Sequence, residues 1–292
     1  MPASPRSLFL TFDQLATEDL QASAGTVTLG QHYRQQEGWK SITNGQSVAS
    51  LKDVRLVLVG DTQQQCLFSD APMNVTHCSI HNGDTNLQSI FQPADSQNPL
   101  LWIHVVNIDT YCSDKVRTAI QTCRQNCSPE TLLAITSFQM HTEPIDHTFD
   151  VLASDHLMRV PGILQHPQFS EFHLQDVTSS HDLLHTLYLH AEIEASSKQQ
   201  QQSDPNVEQR WDLRQVVAEP STFPERNLPL EFGKFKAMRT PNFLYVAEAE
   251  SENGSQSTEG LYVKPQDRWN VHNVCREYAE MADTMRKQLG LN

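Results

Sequence analysis

The sequence predicts an α/β fold: a three-layer sandwich whose central, mostly parallel sheet is covered by helices on both faces. Five short runs rich in branched apolar residues are apolar on successive positions instead of alternating, which is the pattern of strands buried on both faces. Helical patterns lie between and after these runs, and such alternation is typical of parallel sheets. With 292 residues, of which 38% are hydrophobic, the chain has enough apolar material for a sizeable core.

Each predicted strand is bounded by turn or charged residues. The first, LFLTFD, ends on the carboxylate of Asp13, and the third, LLWIHVVNI, is the longest of the runs. All of them fall far short of the roughly 20 apolar residues that a membrane-spanning helix needs. The strands are predicted at residues 8–13, 55–61, 100–108, 131–137 and 160–165.

Three segments show helical periodicity. Val116 and Ile120 recur at a four-residue step within residues 113–126, and a third helix is predicted over residues 274–289. The helix predicted over residues 179–194 begins SSHD, which supplies a capping start, and continues with an apolar stripe. We therefore expect this second helix to lie buried against the sheet.

A change of composition divides the chain. Residues 196–205 are polar and without periodicity, and residues 218–229 carry three prolines. This predicts a core domain over residues 1–217 and a tail module over residues 218–292. In the tail we predict one strand over residues 236–247, a polar hairpin tip, a partner strand over residues 260–263 and the terminal helix. The aromatic and apolar side chains predicted to dock this module are Phe243, Tyr245, Leu261, Tyr262 and Trp269.

The charge of the chain bears on its partners and location. A net charge of −14 repels phosphate backbones and anionic headgroups, so we expect neither nucleic acid nor a membrane surface as a partner. The apolar stretch at residues 8–12 is too short for a signal-peptide core, and the six cysteines have no framework spacing. We therefore expect a cytoplasmic protein with reduced thiols, and its partner stays unknown.

Four segments in the second half of the chain resemble, in the right order, the closing part of a sulfatase, a member of the alkaline-phosphatase-like superfamily. In the first half, LFLTFD resembles the opening strand whose terminal carboxylates bind metal, and LLAITS resembles the strand that precedes the second group of metal ligands. The resemblance implies an alkaline-phosphatase-like core with a small C-terminal hairpin and helix, as in a divergent bacterial sulfatase-like protein. The four segments are RVPGIL (159–164), VTSSHDLLHTL (177–187), AMRTPNFLY (237–245) and GLYVKPQDRWNVHNV (260–274).

The chemistry that the resemblance implies is not matched by the residues. Sulfate-ester hydrolysis in this family uses a divalent cation held by several carboxylates and a formylglycine made from Cys or Ser. Here the first strand ends Asp13-Gln14, and the second ligand position reads Ser137-Phe138, which offers no hard charged oxygen. The nucleophile motif, Cys or Ser followed by Pro and Arg at alternate positions, is missing, because no proline lies between Asp13 and Leu56.

Two interpretations follow for the function. The first is a pseudoenzyme: a sulfatase-like protein that lacks sulfuric ester hydrolase activity, has no catalytic residue and no cofactor, and acts as a binding or regulatory module. Asp13 is then the remnant of a metal site. The second is an active metal-dependent sulfuric or phosphoric ester hydrolase, with calcium or magnesium bound in a rearranged site. That site would use Asp13, His141, Asp155 and His156, because Ser154-Asp155-His156 imitates the metal triplet of the family, with Asp146 and His147 nearby.

Overall fold

The computed structural model describes part of the chain, and every structural statement below concerns that part. The described residues are 5–21, 24–34, 54–60, 76–79, 90–91, 100–105, 112–140, 158–192, 210–220, 223–232, 234–249 and 258–291. The helices are α1 (Ser113–Asn126), α2 (Ser180–His190), α3 (Leu213–Ala218) and α4 (Ala279–Gln288). The strands of the larger sheet are β1 (Ser7–Leu15), β2 (Thr26–Tyr33), β3 (Val54–Gly60), β4 (Thr76–Ser79), β5 (Leu100–Val105), β6 (Leu132–Met140), β7 (Gly162–Gln165) and β8 (Phe172–Ser179).

The larger sheet has the strand order β4-β3-β5-β1-β6-β7-β2-β8. Its strands run parallel except β7, which is antiparallel to both β6 and β2. The predicted mostly parallel sheet is therefore confirmed. Because β7 alone is reversed, the carboxyl ends of β1, β5, β6, β2 and β8 meet at one edge of the sheet, which we call the carboxyl edge.

Sequence reasoning missed three strands of this sheet: β2, β4 and β8. In β2, polar residues such as Gln31 and His32 interrupt the apolar run, although most of the strand is buried. These polar side chains are bonded to β8: Gln31 Nε2 donates to the Gln175 carbonyl, and His32 pairs with Thr178. Hydrogen bonding across strands thus replaced the apolar pattern that would have predicted β2.

Helices cover both faces of the larger sheet, as predicted. One face packs Phe9, Trp102 and Leu164 against Leu183 and Leu187 of α2 and against Trp211 at the start of α3. The other face packs Leu8, Leu10 and Ile103 against Val116 and Ile120 of α1. The capping start of α2 is confirmed, since Ser179 and Asp182 form a reciprocal capping box.

The tail is a second, four-stranded antiparallel sheet, which contains the predicted hairpin and extends it by two strands. Its strands are β9 (Leu228–Phe232), β10 (Phe235–Arg239), β11 (Phe243–Glu248) and β12 (Glu259–Val263), in the order β12-β11-β10-β9. The single strand predicted over residues 236–247 is two strands with a turn between them. At this turn the Thr240 backbone N–H donates to the Phe243 carbonyl, and Thr240 Oγ1 accepts from the Phe243 backbone N–H. The terminal helix begins at Ala279, five residues later than predicted.

The predicted docking residues of the tail behave unequally. Tyr245, Leu261 and Tyr262 are buried, and Phe243 is partly buried. Trp269 is 50% exposed, so its predicted docking was wrong: its ring lies beside the Arg268 guanidinium at the surface. The tail sheet shares an apolar cluster with Tyr33, Met158 and Val177 of the core. The boundary at residue 217 stays a prediction.

The described helices include none with both the length and the apolar character required to cross a bilayer.

Candidate functional site

Asp13 lies at the carboxyl edge, inside a chain of buried hydrogen bonds. His104 Nε2 lies 3.2 Å from Asp13 Oδ1, and His104 Nδ1 lies 2.9 Å from Thr11 Oγ1. Trp102 Nε1 donates to the same Thr11 oxygen over 2.9 Å. All four side chains are at most 2% exposed. We call this group the Asp13 network.

The register of β1 and β5 builds the Asp13 network. Thr11 stands opposite His104, and Phe9 stands opposite Trp102. Because side chains two residues apart point to the same face of a sheet, Thr11, Asp13, Trp102 and His104 all project toward the face covered by α2. Two adjacent parallel strands therefore supply the whole network.

The hydrogen-bond donors and acceptors of the Asp13 network can be assigned consistently. The indole N–H of Trp102 can only donate, and a carboxylate of Asp13 can only accept. A neutral His104 imidazole fits this pattern when its Nε2–H donates a hydrogen bond to Asp13 and its Nδ1 accepts one from the Thr11 hydroxyl. Each group is satisfied, so the network stabilises the edge where β1 and β5 end.

A carboxylate, an imidazole and a hydroxyl in this sequence also form a nucleophilic triad. The surroundings of Thr11 argue against that use. Its side chain is 0% exposed among the described residues, and its oxygen already accepts the Trp102 N–H. The geometry instead indicates a structural role.

Phe138 closes the Asp13 network from the side of β6. Its ring stacks on the His104 imidazole with 4.7 Å between centroids and 26° between planes, and it is 4% exposed. The resemblance to sulfatases places a charged metal ligand at this position. A calcium or magnesium ion needs six or more oxygens, whereas here the Asp13 carboxylate is bonded to His104, on whose ring Phe138 stacks. The described residues do not fit a divalent cation at this point, and they contain no group of three His, Cys, Asp or Glu side chains able to hold one.

The other predicted site residues cannot be placed. Asp155 and His156 lie outside the described residues, as do His141, Asp146 and His147. The rearranged metal site therefore stays a prediction.

A second buried polar cluster, which sequence reasoning did not assemble, surrounds Asp182 at the start of α2. Its carboxylate accepts from the backbone N–H of Ser179 over 2.7 Å and from that of Trp211 over 2.9 Å. It also pairs with Arg226, whose guanidinium lies 4.9 Å from the centre of the Trp211 ring. We call Ser179, Asp182, Trp211 and Arg226 the Asp182 cluster. It joins α2, the start of α3 and the segment that leads to β9.

His32 adjoins the Asp182 cluster from β2. Burial lowers the pKa of His32 to about 3; nearby Asp182 opposes this shift and Arg226 adds to it. Its Nδ1 lies 3.0 Å from Thr178 Oγ1 on β8. The imidazole is therefore neutral at physiological pH and belongs to the interior.

Two buried arginines connect the carboxyl edge with its surroundings. Arg34 donates to the carbonyl of Phe138 over 3.3 Å. Arg239 of the tail donates from Nε to the Tyr33 hydroxyl over 3.0 Å, and its terminal nitrogens bond to Gln31 and to the Phe243 carbonyl. Arg239 thus ties the tail sheet to β2.

His104 is the residue that sequence reasoning missed in the Asp13 network. The available signal was its position: a lone imidazole within the otherwise apolar run LLWIHV. Its pairing with Asp13 depends on the register of β1 and β5, which strand patterns alone do not specify.

Comparison with known proteins finds similarity of structure only. No protein family and no curated protein sequence matches the chain. Its structure is similar to that of a 2-O GAG sulfatase, with a TM-score of 0.64 and 12% identity over 99% of this chain and 91% of that one. It is also similar to a phosphonate monoester hydrolase from Silicibacter pomeroyi, with a TM-score of 0.62 and 12% identity over 98% and 94% of the two chains.

A third similar structure is a protein in the alkaline phosphatase superfamily from Vibrio parahaemolyticus, with a TM-score of 0.57 and 9% identity over 97% of this chain and 88% of that one. At such identities the likeness concerns the fold. The chain has the alkaline-phosphatase-like fold of the sulfatases, as the sequence predicted.

Proposed function

We propose that this chain is a sulfatase-like pseudoenzyme that lacks sulfuric ester hydrolase activity and acts as a binding or regulatory module. The observation that carries the proposal is the packing of Phe138 on His104, beside an Asp13 that is bonded to the same imidazole. A position that resemblance assigns to a metal ligand is filled by an aromatic ring. A cytoplasmic location and a bacterial source belong to this proposal as predictions.

The proposal has an electrostatic basis. Hydrolysis of a sulfate or phosphate ester develops negative charge that a bound cation or a fixed set of donors must stabilise, usually as the largest catalytic contribution. At the Asp13 network, donors and acceptors are bonded to one another within the protein. The sequence also lacks the Cys or Ser motif from which the formylglycine nucleophile is made. The Asp13 network among the described residues and the missing nucleophile motif in the sequence both support the proposal.

The test combines metal analysis with an activity screen. The purified full chain is measured for bound metal and assayed with aryl sulfates and aryl phosphates in the presence of calcium, magnesium, manganese or zinc. We expect no stoichiometric metal, no turnover above background and no mass change that indicates formylglycine. An active sulfatase assayed in parallel shows that the conditions support turnover.

Two variants make the result decisive. Asp13→Asn keeps the shape of the side chain and its acceptor oxygen but removes the charge, and His156→Ala removes the imidazole of the alternative site. Metal-dependent hydrolysis that either substitution abolishes would overturn the pseudoenzyme and establish the rearranged hydrolase.

A further inference from the structure

A pair of histidines lies at the opposite end of α2 from the Asp182 cluster. His190, in the last turn of α2, and His166, just after β7, have ring centroids 5.5 Å apart in an edge-on arrangement. His166 is 9% exposed, and its ring also packs edge-on against Phe169. This pair joins α2 to the turn between β7 and β8.

The partners of His190 dictate where its proton lies. Its Nε2 faces the Glu130 carbonyl at 3.4 Å, and a carbonyl can only accept. Its Nδ1 faces Arg214 NH1 at 3.4 Å, and a guanidinium can only donate. His190 therefore fits as a neutral imidazole with its proton on Nε2. A proton added at Nδ1 would point an N–H group at the Arg214 cation.

Arg214 cannot readily turn away to make room. Its guanidinium is held by Asp212 in a fork, with Nε 2.9 Å from Oδ1 and the second terminal nitrogen 2.7 Å from Oδ2. Asp212 also caps α3 by accepting from the Arg214 backbone N–H over 3.1 Å. The position of the cation opposite His190 is thus set by the start of α3.

His166 is likewise bonded at Nδ1, which accepts the backbone N–H of Gln168 over 3.3 Å. In each histidine of the pair, Nδ1 thus already faces a hydrogen-bond donor. The two rings are also close enough for a charge on one to oppose a charge on the other.

We propose that His190, His166 and Arg214 form a proton-sensitive clasp that holds the end of α2 against α3 and the β7–β8 turn at neutral pH and opens when His190 takes up a proton. The clasp is independent of the proposed function, since it lies at the amino end of the sheet strands. Opening would release the last turn of α2 and the start of α3.

The charged groups around His190 act in both directions. Burial lowers the pKa of His190, and the nearby Arg214 and His166 lower it further. The hydrogen bond to the Glu130 carbonyl and the charge of Asp212 raise it. The C-terminal end of α2 also favours a cation. Beyond these groups, Glu192 after α2 is paired with Arg6, and His185 faces Arg210, Asp212 and Arg214 from one turn earlier. The pKa of His190 is lowered overall, so the folded state binds the proton less readily than the unfolded state.

The direction of the pH effect follows from linkage. A histidine whose pKa is lowered by folding leaves the folded state with fewer protons than the unfolded state below about pH 6.5, so local stability falls as the pH falls through that range. Above about pH 6.5 the clasp is closed. The effect should be confined to the elements that His190 joins.

Hydrogen exchange of the full chain, measured at about pH 7.5 and about pH 5.0 and corrected for intrinsic rates, tests the clasp. We expect residues 186–192 and 211–218 to exchange at least about threefold faster at the lower pH. In His190→Gln, which cannot take up the proton, this difference should vanish. His272→Gln, at an exposed position of the tail, serves as the control and should keep it.

A second measurement holds even where His190→Gln perturbs the helix. In Arg214→Gln the cation opposite Nδ1 is gone, so the pKa of His190, followed by NMR of the imidazole nitrogens, should rise toward its ordinary value. Equal exchange at both pH values in the unsubstituted chain, or an unchanged His190 titration in Arg214→Gln, would overturn the proposal.

Discussion

The carboxyl edge of the larger sheet and the tail sheet use the same kinds of polar group in different surroundings. In the Asp182 cluster, the side chains of Asp182 and Arg226 are 0% and 5% exposed. In the tail, Glu259 pairs with Arg286 and accepts from the Tyr245 hydroxyl over 2.6 Å, but the two charged side chains are 27% and 30% exposed. The tail pair keeps contact with water, whereas the core pair depends wholly on protein partners.

This difference shows that the stability lost on substitution depends mainly on whether the remaining charged partner is buried or reaches water. Removing one member of a buried pair strands a charge in the interior, which costs about 3–5 kcal/mol. Removing one member of a partly exposed pair lets water replace it, and such pairs contribute about 0–1 kcal/mol. The following predictions apply this contrast from the largest effect to the smallest.

Asp182→Ala is expected to cause the greatest loss. It leaves the buried Arg226 guanidinium without its carboxylate and removes the acceptor of the Ser179 and Trp211 backbone N–H groups. The free energy of unfolding should fall by about 3–5 kcal/mol in urea titrations. Asp176→Ala, at an exposed position of β8, is the matched control and should change it by less than about 0.5 kcal/mol. Equal effects of the two substitutions would contradict the burial argument.

Thr11→Val should have the next largest effect. Valine fills nearly the same space but leaves the Trp102 indole N–H and the His104 Nδ1 without the hydroxyl that joins them, which costs about 1–3 kcal/mol. Thr118→Val, on the exposed side of α1, provides the comparison and should be nearly neutral. A neutral Thr11→Val would show that the Asp13 network contributes little to stability.

Glu259→Gln tests the tail and should cost about 1 kcal/mol at neutral pH. Burial alone would raise the pKa of Glu259, but hydrogen bonds from Arg286 and Tyr245 outweigh it and lower that pKa. The unfolded state then binds the proton more readily, so the stability that Glu259 contributes is present at neutral pH and lost in acid. Chemical unfolding at several pH values should show the wild-type and variant curves converging as the pH falls. Glu280→Gln, exposed on α4, should show no such convergence.

Trp269→Ala is expected to have the smallest effect, within about 0.5 kcal/mol, because the side chain is half exposed. Leu261→Ala, in the same module but fully buried, should cost about 2–5 kcal/mol. Thermal unfolding of the two variants distinguishes them directly. A large effect of Trp269→Ala would restore the docking role that the sequence predicted for it.

Local patterns predicted the parts of the fold that depend on local physics. The strands β1, β5 and β6 are mostly apolar runs, and the start of α2 carries a capping box from Ser179 to Asp182. The reversal of β7 could not be read in this way, because a four-residue strand carries no signal of its direction. The polar strand β2 was missed because its hydrogen-bonding partners come from β8, far along the chain.

The candidate site was predicted only in part for a similar reason. Asp13 was identified by resemblance to the opening strand of the sulfatases, but its partner His104 follows from the register between two strands. Arg226 was not anticipated, since its pairing with Asp182 requires the segment before β9 to return to α2. Each missed contact joins residues distant in sequence, and those contacts are set by packing of the whole sheet.

The position of β2 has a consequence for how the protein is made. Its sheet neighbours are β7 and β8, which are synthesised long after it, while β1 is flanked by β5 and β6. At roughly 5–20 residues per second, β2 waits on the order of 10 s on the ribosome before either neighbour emerges. During that time its backbone groups can pair with other chains, and non-local pairing of this kind slows folding. The nascent chain is therefore expected to depend on chaperones until residues 162–179 have left the ribosome.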